Sequence, residues 1–271
     1  MLFARARRSL ETGFLYFSLG LLSAFLSAAR GQVVVQTGAG AGAAADVSQY
    51  PERDDQLPGK GPMQKWADFP KIWAQRHAEW RAQAARDHGA VVFLGDSITQ
   101  GWSTLAGDFP GLKVANRGIG GDTTRGVLYR LQADVLDLEP AAVVLLIGTN
   151  DLGLGADPAD IVDNIKAILT AIRKANAKTP VILCKVMPSS DKQQRPAVKI
   201  KALNALLERL ARGDSAVTLC DTWSLYAGAD GDSKPEEFPD RLHPNRTGYE
   251  KWAAALKPVF ERLKLASSPV R

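Results

Sequence analysis

Three side chains far apart in the chain are of the types that can attack an ester carbonyl together. Ser97 follows the apolar run VVFL within the sequence GDS, and Asp240 and His243 lie within DRLH. A serine hydroxyl is a weak nucleophile, so it needs a base, and that base needs a third group to hold one tautomer. The other two histidines, His77 and His88, lie in or at the end of a Trp-containing helical pattern. His243 is therefore the predicted base, and Asp240 is within reach of its ring in a turn.

Attack on a carbonyl also needs hydrogen-bond donors where negative charge develops on the oxygen. Gly121 can offer a main-chain N–H with no side chain in the way, and Asn150 can offer its side-chain amide. The main-chain N–H of Ser97 is the third candidate. Loss of one such donor typically costs about 10²- to 10³-fold in rate. We therefore expect Ser97, Gly121 and Asn150 to form an oxyanion hole.

Other residues beside these candidates have less specific roles. Four polar ones are predicted to cap helices or brace loops, with substrate contact as the alternative: Asp96, Asp122, Thr123 and Asp151. Trp102 could line an acyl or sugar site or pack in the core. The chain has no H-E-x-x-H motif, no P-loop and no carboxylate cluster, so we expect no metal and no cofactor.

A parallel sheet would bring these residues together. Short apolar runs predict strands at 91–94, 112–115, 143–147, 181–186 and 217–220, and amphipathic patterns over 70–86 and 157–174 predict helices. Apolar strands that alternate with such helices are typical of an α/β fold with a parallel sheet covered on both faces. Ligands bind beyond the carboxyl ends of such strands. The candidate residues follow the first, second, third and fifth runs.

Four segments in this order, GDSIT, GIGGDTT, GTND and DRLH, resemble the sequence blocks of the SGNH, or GDSL, hydrolase superfamily over roughly residues 90–263. The second block, NRGIGGDTTR, is most similar to the platelet-activating-factor acetylhydrolase catalytic-subunit branch and its secreted bacterial relatives. The resemblance implies Ser97 as nucleophile, His243 as base and Asp240 as the residue that orients it. It implies Gly121 and Asn150 as oxyanion donors. It also implies a three-layer α/β/α sandwich with a flavodoxin-like five-stranded sheet in the order 2-1-3-4-5.

The ends of the chain carry their own signals. Residues 1–31 have the order of a secretory signal, because Arg5, Arg7 and Arg8 precede an uncharged, mostly apolar stretch and then small residues. An uncleaved membrane anchor is the alternative. Residues 32–64, rich in Gly and Ala and then in Pro and charge, predict a tether or loosely packed arm before a hydrolase domain over 65–271. We expect a secreted or periplasmic protein.

Net charge indicates which partners to expect, and the cysteine content indicates whether a disulfide or a zinc site is expected. Cleavage after Ala29 would remove three arginines and Glu11, which changes the formal net charge from +5 to +3 and disfavours a nucleic-acid partner. The only cysteines, Cys184 and Cys220, lie in apolar runs and are predicted to be reduced core residues without zinc spacing.

These expectations combine into a secreted serine esterase for short acyl esters, acetyl esters above all, with a carbohydrate as the expected alcohol part. A lysophospholipase or thioesterase for longer acyl chains is an alternative. A non-catalytic module that binds a glycan or a partner surface is a second alternative, although such modules usually lack a member of the catalytic set. The sequence does not determine the oligomeric state.

Overall fold

A computed structural model describes residues 46–265. Five strands in this range form one parallel sheet and, numbered along the chain, lie in the order 2-1-3-4-5, which confirms the expected order. The strands are Val91–Gly95 (β1), Val114–Gly118 (β2), Ala142–Leu146 (β3), Val181–Cys184 (β4) and Val217–Cys220 (β5). The predicted signal or anchor segment lies outside the described residues. Between residues 46 and 265, no helix is long and apolar enough to cross a membrane.

Helices cover both faces of the sheet, as predicted. The longer ones are Phe69–Asp87 (α1), Thr124–Asp134 (α4), Pro158–Ala175 (α6), Ala197–Arg212 (α7) and Arg246–Arg262 (α9). The short ones are Ser97–Gln100 (α2), Leu105–Asp108 (α3), Thr149–Gly153 (α5) and Thr222–Tyr226 (α8). Alternate side chains of β1 belong to two different cores. Val92 and Leu94 pack with α4, α6 and α7, whereas Val91 and Phe93 pack with α9.

The second strand lies two to three residues later than its apolar run predicts. Val91 of β1 pairs with Val114 of β2 and with Ala142 of β3, so the pairing register places β2 over Val114–Gly118. The polar part of this edge strand is accommodated by ion pairing, since the buried guanidinium of Arg117 lies 2.9 Å from Asp87. A polar sequence therefore forms a strand that hydrophobicity alone does not indicate.

The described part of the predicted arm packs against the sheet domain, which differs from the expectation of a loose tether. Residues 46–64 contribute the buried side chains of Tyr50, Leu57 and Met63 to a cluster with Phe69 and Trp73 of α1. Residues 32–45 lie outside the described part. The sequence pattern missed this packing because the apolar residues of the segment are isolated and show no helical or strand period.

A buried arginine holds this segment on the domain. Arg125 of α4 is 4% exposed and donates hydrogen bonds to main-chain oxygens of the segment. Those acceptors are the carbonyl oxygens of Asp54, Leu57, Pro58 and Gly61. The same guanidinium lies 2.7 Å from the Asp54 carboxylate. Its planar set of donors thus binds four main-chain oxygens of the segment at once.

The two cysteines face each other across the β4–β5 pair. Cys184 lies opposite Cys220 in the parallel register, and both thiols are buried and free. Burial raises the pKa of the Cys184 thiol well above its ordinary value. The thiol is therefore protonated at neutral pH and serves as a core side chain.

We expect Arg125→Lys to lower the free energy of unfolding by about 2 to 4 kcal/mol, because an ammonium cannot reach all of the buried carbonyl oxygens that the guanidinium serves. Urea unfolding measures the change. Arg86→Lys, in a side chain that is 70% exposed, is the matched control and should stay within about 0.5 kcal/mol of wild type. Equal stability of Arg125→Lys and wild type would show that these contacts do not hold the segment.

Candidate active site

Ser97, His243 and Asp240 form a hydrogen-bonded row at the carboxyl ends of the strands. The Nε2 atom of His243 lies 2.9 Å from Ser97 Oγ, and its Nδ1 atom lies 2.6 Å from Asp240 Oδ2. Since a carboxylate only accepts hydrogen bonds, Nδ1 carries the proton in the neutral ring. Nε2 is then free to accept the proton of the serine hydroxyl.

The serine is presented by a helix start rather than by a sharp strand-to-helix elbow. Asp96 precedes Ser97, and its Oδ1 accepts a hydrogen bond of 2.9 Å from the N–H of Ile98, which caps α2. Gly118 at the end of β2 lets this short helix approach closely. A Cβ at that position would overlap the main-chain nitrogen of Gln100. Gly118 on the neighbouring strand thus provides the space that the glycines of a G-x-S-x-G elbow would otherwise provide.

The Asp240–His243 turn positions the base through its own main chain. Asp240 Oδ1 accepts from the N–H groups of Leu242 at 2.9 Å and of His243 at 2.7 Å. Arg241, the residue between Asp240 and Leu242, has a left-handed φ of 68°. Burial favours a higher pKa for Asp240, but the hydrogen bonds from His243 and Leu242 outweigh it and lower the pKa below its ordinary value. Asp240 is therefore a carboxylate over the whole neutral range.

The predicted oxyanion donors lie at the ends of three neighbouring strands: Ser97 starts α2 after β1, Gly121 lies on the loop after β2, and Asn150 lies in α5 after β3. A Cβ built on Gly120 would be 3.7 Å from the Cβ of Ser97, which places the Gly120–Gly121 loop beside the nucleophile. Gly121 has a φ of +88°, a conformation that favours glycine. The side-chain amide of Asn150 donates a hydrogen bond of 2.9 Å to the main-chain oxygen of Asp122, the residue after Gly121. The structure therefore brings all three sequence-predicted donors to one end of the sheet.

A fully buried ion pair fixes the loop that carries Gly121. Arg130 of α4 lies 2.8 Å from Asp122 Oδ2 and donates to the main-chain oxygens of Gly95 and Arg117 at 3.1 and 2.9 Å. Burial raises the pKa of Asp122 to about 6, although Arg130 acts in the opposite direction. One guanidinium thus joins the ends of β1 and β2 to the candidate oxyanion loop.

The other flanking polar residues bind main-chain and side-chain groups of the protein. Thr123 Oγ1 accepts from the N–H of Gly126 at the start of α4. Asp151 accepts from both the N–H and the hydroxyl of Thr124, the latter at 2.6 Å. Burial raises the pKa of Asp151 to about 6 and that of Asp96 to about 7. These contacts cap α2 and α4 and join α5 to the start of α4.

Trp102 does not line the site. Its side chain is 1% exposed, its ring packs against those of Tyr249 and Trp252, and its indole N–H donates to Asp108 at 2.7 Å. The expectation that Trp102 could contact a substrate is wrong, because the aromatic cluster beneath α9 encloses the ring.

Two site residues were missed by the sequence analysis. Arg195 donates a hydrogen bond of 2.9 Å to Asn150 Oδ1. Gln64, from the N-terminal segment, donates one of 2.9 Å to the main-chain oxygen of Gly121. Arg195 lies in the segment that follows the fourth strand, at the same end of the sheet as the other candidates. The rule that ligands bind beyond the carboxyl ends of parallel strands could therefore have indicated it. No sequence signal indicates Gln64, since it precedes every strand.

The arrangement suits nucleophilic attack on a carbonyl. It combines a hydroxyl, an imidazole that faces it, a carboxylate that holds the imidazole, and amide donors nearby. Within residues 46–265, His, Cys, Asp and Glu side chains do not gather in groups of three that could hold a metal ion.

Comparison with known proteins gives consistent matches. The model of the GDSL-like Lipase/Acylhydrolase family matches residues 93–251. Platelet-activating factor acetylhydrolase IB subunit alpha1 of Bos taurus is 29% identical over 198 residues, which cover 70% of this chain and 83% of that protein. Subunit alpha2 of Homo sapiens is 30% identical over 196 residues, which cover 70% and 82%. The crystal structure of a GDSL-like lipase from Bacteroides thetaiotaomicron is 26% identical, with a TM-score of 0.60 over 69% of this chain and 97% of that one.

The buried carboxyl of Asp96 predicts a pH dependence of stability. Its raised pKa of about 7, against an ordinary value of 3.8, means that the folded protein keeps this proton at pH values where the unfolded chain has lost it. The stabilising contribution of the protonated carboxyl is therefore lost as pH rises from about 4 to about 7, by up to about 1.4 kcal/mol per pH unit. Above pH 7 the loss is complete.

We expect Asp96→Asn, which keeps a cap acceptor for Ile98 but cannot ionise, to lose less stability than wild type between pH 5 and pH 7.5. Denaturant unfolding at both pH values measures the difference. Asp55→Asn, in a side chain that is 72% exposed, is the control and should follow the wild-type change. Parallel pH profiles for wild type and Asp96→Asn would contradict the prediction.

Proposed function

Because the chain belongs to the GDSL-like lipase/acylhydrolase family, we propose that it is a serine esterase that cleaves short-acyl esters, acetyl esters above all, through an acyl-enzyme. The observation that carries the proposal is the row in which Asp240 holds His243 Nδ1 at 2.6 Å and His243 Nε2 lies 2.9 Å from Ser97 Oγ. In this proposal Ser97 is the nucleophile, His243 the base and Asp240 the residue that orients it.

The reaction begins when Ser97 Oγ attacks the ester carbonyl carbon and His243 Nε2 takes the hydroxyl proton. The carbonyl oxygen becomes an oxyanion, which accepts hydrogen bonds from the N–H groups of Ser97 and Gly121 and from the Asn150 amide. The imidazolium then gives its proton to the departing alcohol oxygen as the ester C–O bond breaks. Water then attacks the acyl-enzyme while His243 takes one of its protons. The imidazolium gives that proton to Ser97 Oγ as the acyl C–O bond breaks, which releases the carboxylic acid and restores the serine hydroxyl.

The proposed roles of Asp240 and His243 depend on charge. Hydrogen bonds keep the pKa of Asp240 below its ordinary value, so its negative charge is present when the imidazolium forms. The imidazolium is stabilised by this carboxylate at 2.6 Å. The carboxylate also keeps the Nδ1–H tautomer, without which Nε2 could not accept the serine proton.

The acyl preference rests on the relatives. Two curated proteins that are 29% and 30% identical to this chain, over more than four-fifths of their own length, are named as acetylhydrolases. An acetyl group is therefore the first choice for the acyl part. We further propose that the protein is exported and that its alcohol part is a carbohydrate. The support for export is the charged, apolar and small-residue order of residues 1–31, and sequencing of the mature N-terminus tests it.

Ser97→Ala should abolish hydrolysis of p-nitrophenyl acetate, and Asp240→Asn should lower kcat by about 10³- to 10⁴-fold because the imidazole loses its tautomer control. Steady-state kinetics on the purified variants measure both effects. Ser215→Ala, at an exposed serine before β5 and away from the strand ends that carry the site, is the control and should match wild type. Undiminished activity of Ser97→Ala would end the proposal for this site.

The value of kcat/KM should fall along a series of p-nitrophenyl esters as the acyl chain lengthens beyond butyrate. An acetyl site leaves little room for further methylenes, and each excluded methylene costs about 1 to 3 kcal/mol in the transition state. Flat or rising values beyond butyrate would instead favour a lysophospholipase or thioesterase. A screen of acetylated polysaccharides against phospholipids then identifies the alcohol part.

A further inference from the structure

We propose that Arg195 is a positioning residue that holds the side-chain amide of Asn150 in the orientation needed to stabilise the oxyanion. This inference rests on the proposed function, in which Asn150 is an oxyanion donor. It adds a residue that none of the four sequence blocks contains. Arg195 lies on the loop between β4 and α7, which follows the fourth strand at the site end of the sheet.

One edge of the Arg195 guanidinium binds two successive residues of α5. Its Nε atom donates to the main-chain oxygen of Thr149 at 2.9 Å, and its Nη2 atom donates to Asn150 Oδ1, also at 2.9 Å. A guanidinium is planar and its donors are rigid, so two bonds along one edge fix both distance and direction. The amide oxygen of Asn150 is thereby held relative to the main chain of its own helix.

The remaining hydrogen bonds of the Asn150 amide show what this contact achieves. A carboxamide has one accepting oxygen and two N–H donors. Arg195 binds the oxygen, and the main-chain oxygen of Asp122 accepts one N–H at 2.9 Å. The second N–H is left for the oxyanion. If the amide rotated by half a turn, its oxygen would face the carbonyl of Asp122 and its NH₂ group would face the guanidinium, so both contacts would become repulsive.

Arg195 is itself held in place by packing and by its own loop. Its Nη1 atom donates to the main-chain oxygen of Gln193 at 2.5 Å. A Cβ on Gly153, at the end of α5, would lie 2.7 Å from the guanidinium carbon of Arg195. The absence of a side chain at Gly153 therefore makes room for the guanidinium.

The charge of Arg195 is not used for ion pairing. Among residues 46–265, no carboxylate lies within 4.0 Å of its guanidinium, and its partners are the oxygens of Thr149, Asn150 and Gln193. Other arginines near the site, such as Arg125 and Arg130, each face a carboxylate. Asp96 is the carboxyl whose charge acts on Arg195, without a close ion pair. A cation beside Asn150 also favours the negative charge that develops on the carbonyl oxygen.

The same loop contacts the half of the site that carries the base. The side-chain amide of Gln193 donates to the main-chain oxygen of Asp240 at 2.7 Å. The hydroxyl of Ser189 donates to the main-chain oxygen of Arg241 at 2.9 Å. The β4–α7 loop thus links the candidate oxyanion donor on α5 to the Asp240–His243 turn.

The test compares Arg195→Ala, Asn150→Ala and the double variant by steady-state kinetics on p-nitrophenyl acetate. Complete loss of an oxyanion donor costs about 10²- to 10³-fold, so loss of its positioning should lower kcat by about 10- to 100-fold, with KM within about twofold of wild type. The double variant should be no slower than Asn150→Ala, because Arg195 acts through Asn150. Arg212→Ala, in an exposed arginine at the far end of α7, is the control and should match wild type.

Two further measurements separate positioning from a merely structural role. Guanidinium ion at sub-denaturing concentration, against sodium chloride at equal ionic strength, should restore part of kcat in Arg195→Ala but not in Asn150→Ala. Gly153→Ala retains the guanidinium but displaces it. In the wild-type background it should therefore lower kcat by a smaller factor than Arg195→Ala does, and in the Arg195→Ala background it should not change kcat. Arg195→Lys and Gly153→Ala provide the test if Arg195→Ala does not fold.

The outcomes distinguish a failure of this inference from a failure of the proposed function. If Asn150→Ala lowers kcat and Arg195→Ala does not, or if their effects multiply in the double variant, Arg195 does not position Asn150 and the esterase proposal stands. If Asn150→Ala leaves kcat unchanged, the oxyanion assignment fails and the inference fails with it. If Ser97→Ala retains full activity, the function proposed for the site fails.

Discussion

The hydrogen bond between His243 Nε2 and Ser97 Oγ is the interaction on which the site depends, and it joins residues 146 positions apart in the chain. It requires an imidazole whose Nδ1 carries the proton, which Asp240 ensures from three residues away. The base and its orienting residue are therefore a local unit, a turn closed by its own side chain. This turn has to lie at the end of β1. The helix that follows it, α9, packs on Val91 and Phe93 of β1, and the hydroxyl of Tyr249 in α9 donates to the main-chain oxygen of Ile98 at 2.8 Å.

A buried ion pair holds the other half of the site, the loop that carries Gly121. A guanidinium taken out of water is costly unless its N–H groups have partners, and Arg130 meets this condition with the Asp122 carboxylate and two strand-end carbonyl oxygens. Because those carbonyls belong to Gly95 and Arg117, the ion pair fixes the ends of β1 and β2 against the loop that carries Gly121. The position of a candidate oxyanion donor is thus set by electrostatics inside the core.

Segments outside the sheet also contact the site residues. Gln64 of the N-terminal segment binds the main-chain oxygen of Gly121, and Arg125 holds that segment on α4. On the opposite side, Arg195 binds Asn150 and Gln193 binds the Asp240 main chain. Each contact is a side-chain donor on a main-chain or amide oxygen, a bond that fixes direction as well as distance. The site is therefore held by the N-terminal segment beside β2 and by the β4–α7 loop.

The sequence by itself determined the layered fold, the strand order through family resemblance, and the types and order of Ser97, Asn150, Asp240 and His243, because hydrophobic period and short polar motifs are local properties. It misplaced β2, since a polar edge strand has no apolar signal. It also treated 46–64 as loose and left Trp102 as a possible substrate contact. Only the tertiary structure decided these points, together with the roles of Arg130, Arg195 and Gln64. Each depends on which distant carbonyl, carboxylate or ring lies within about 3 to 6 Å, a distance that spacing along the chain does not encode.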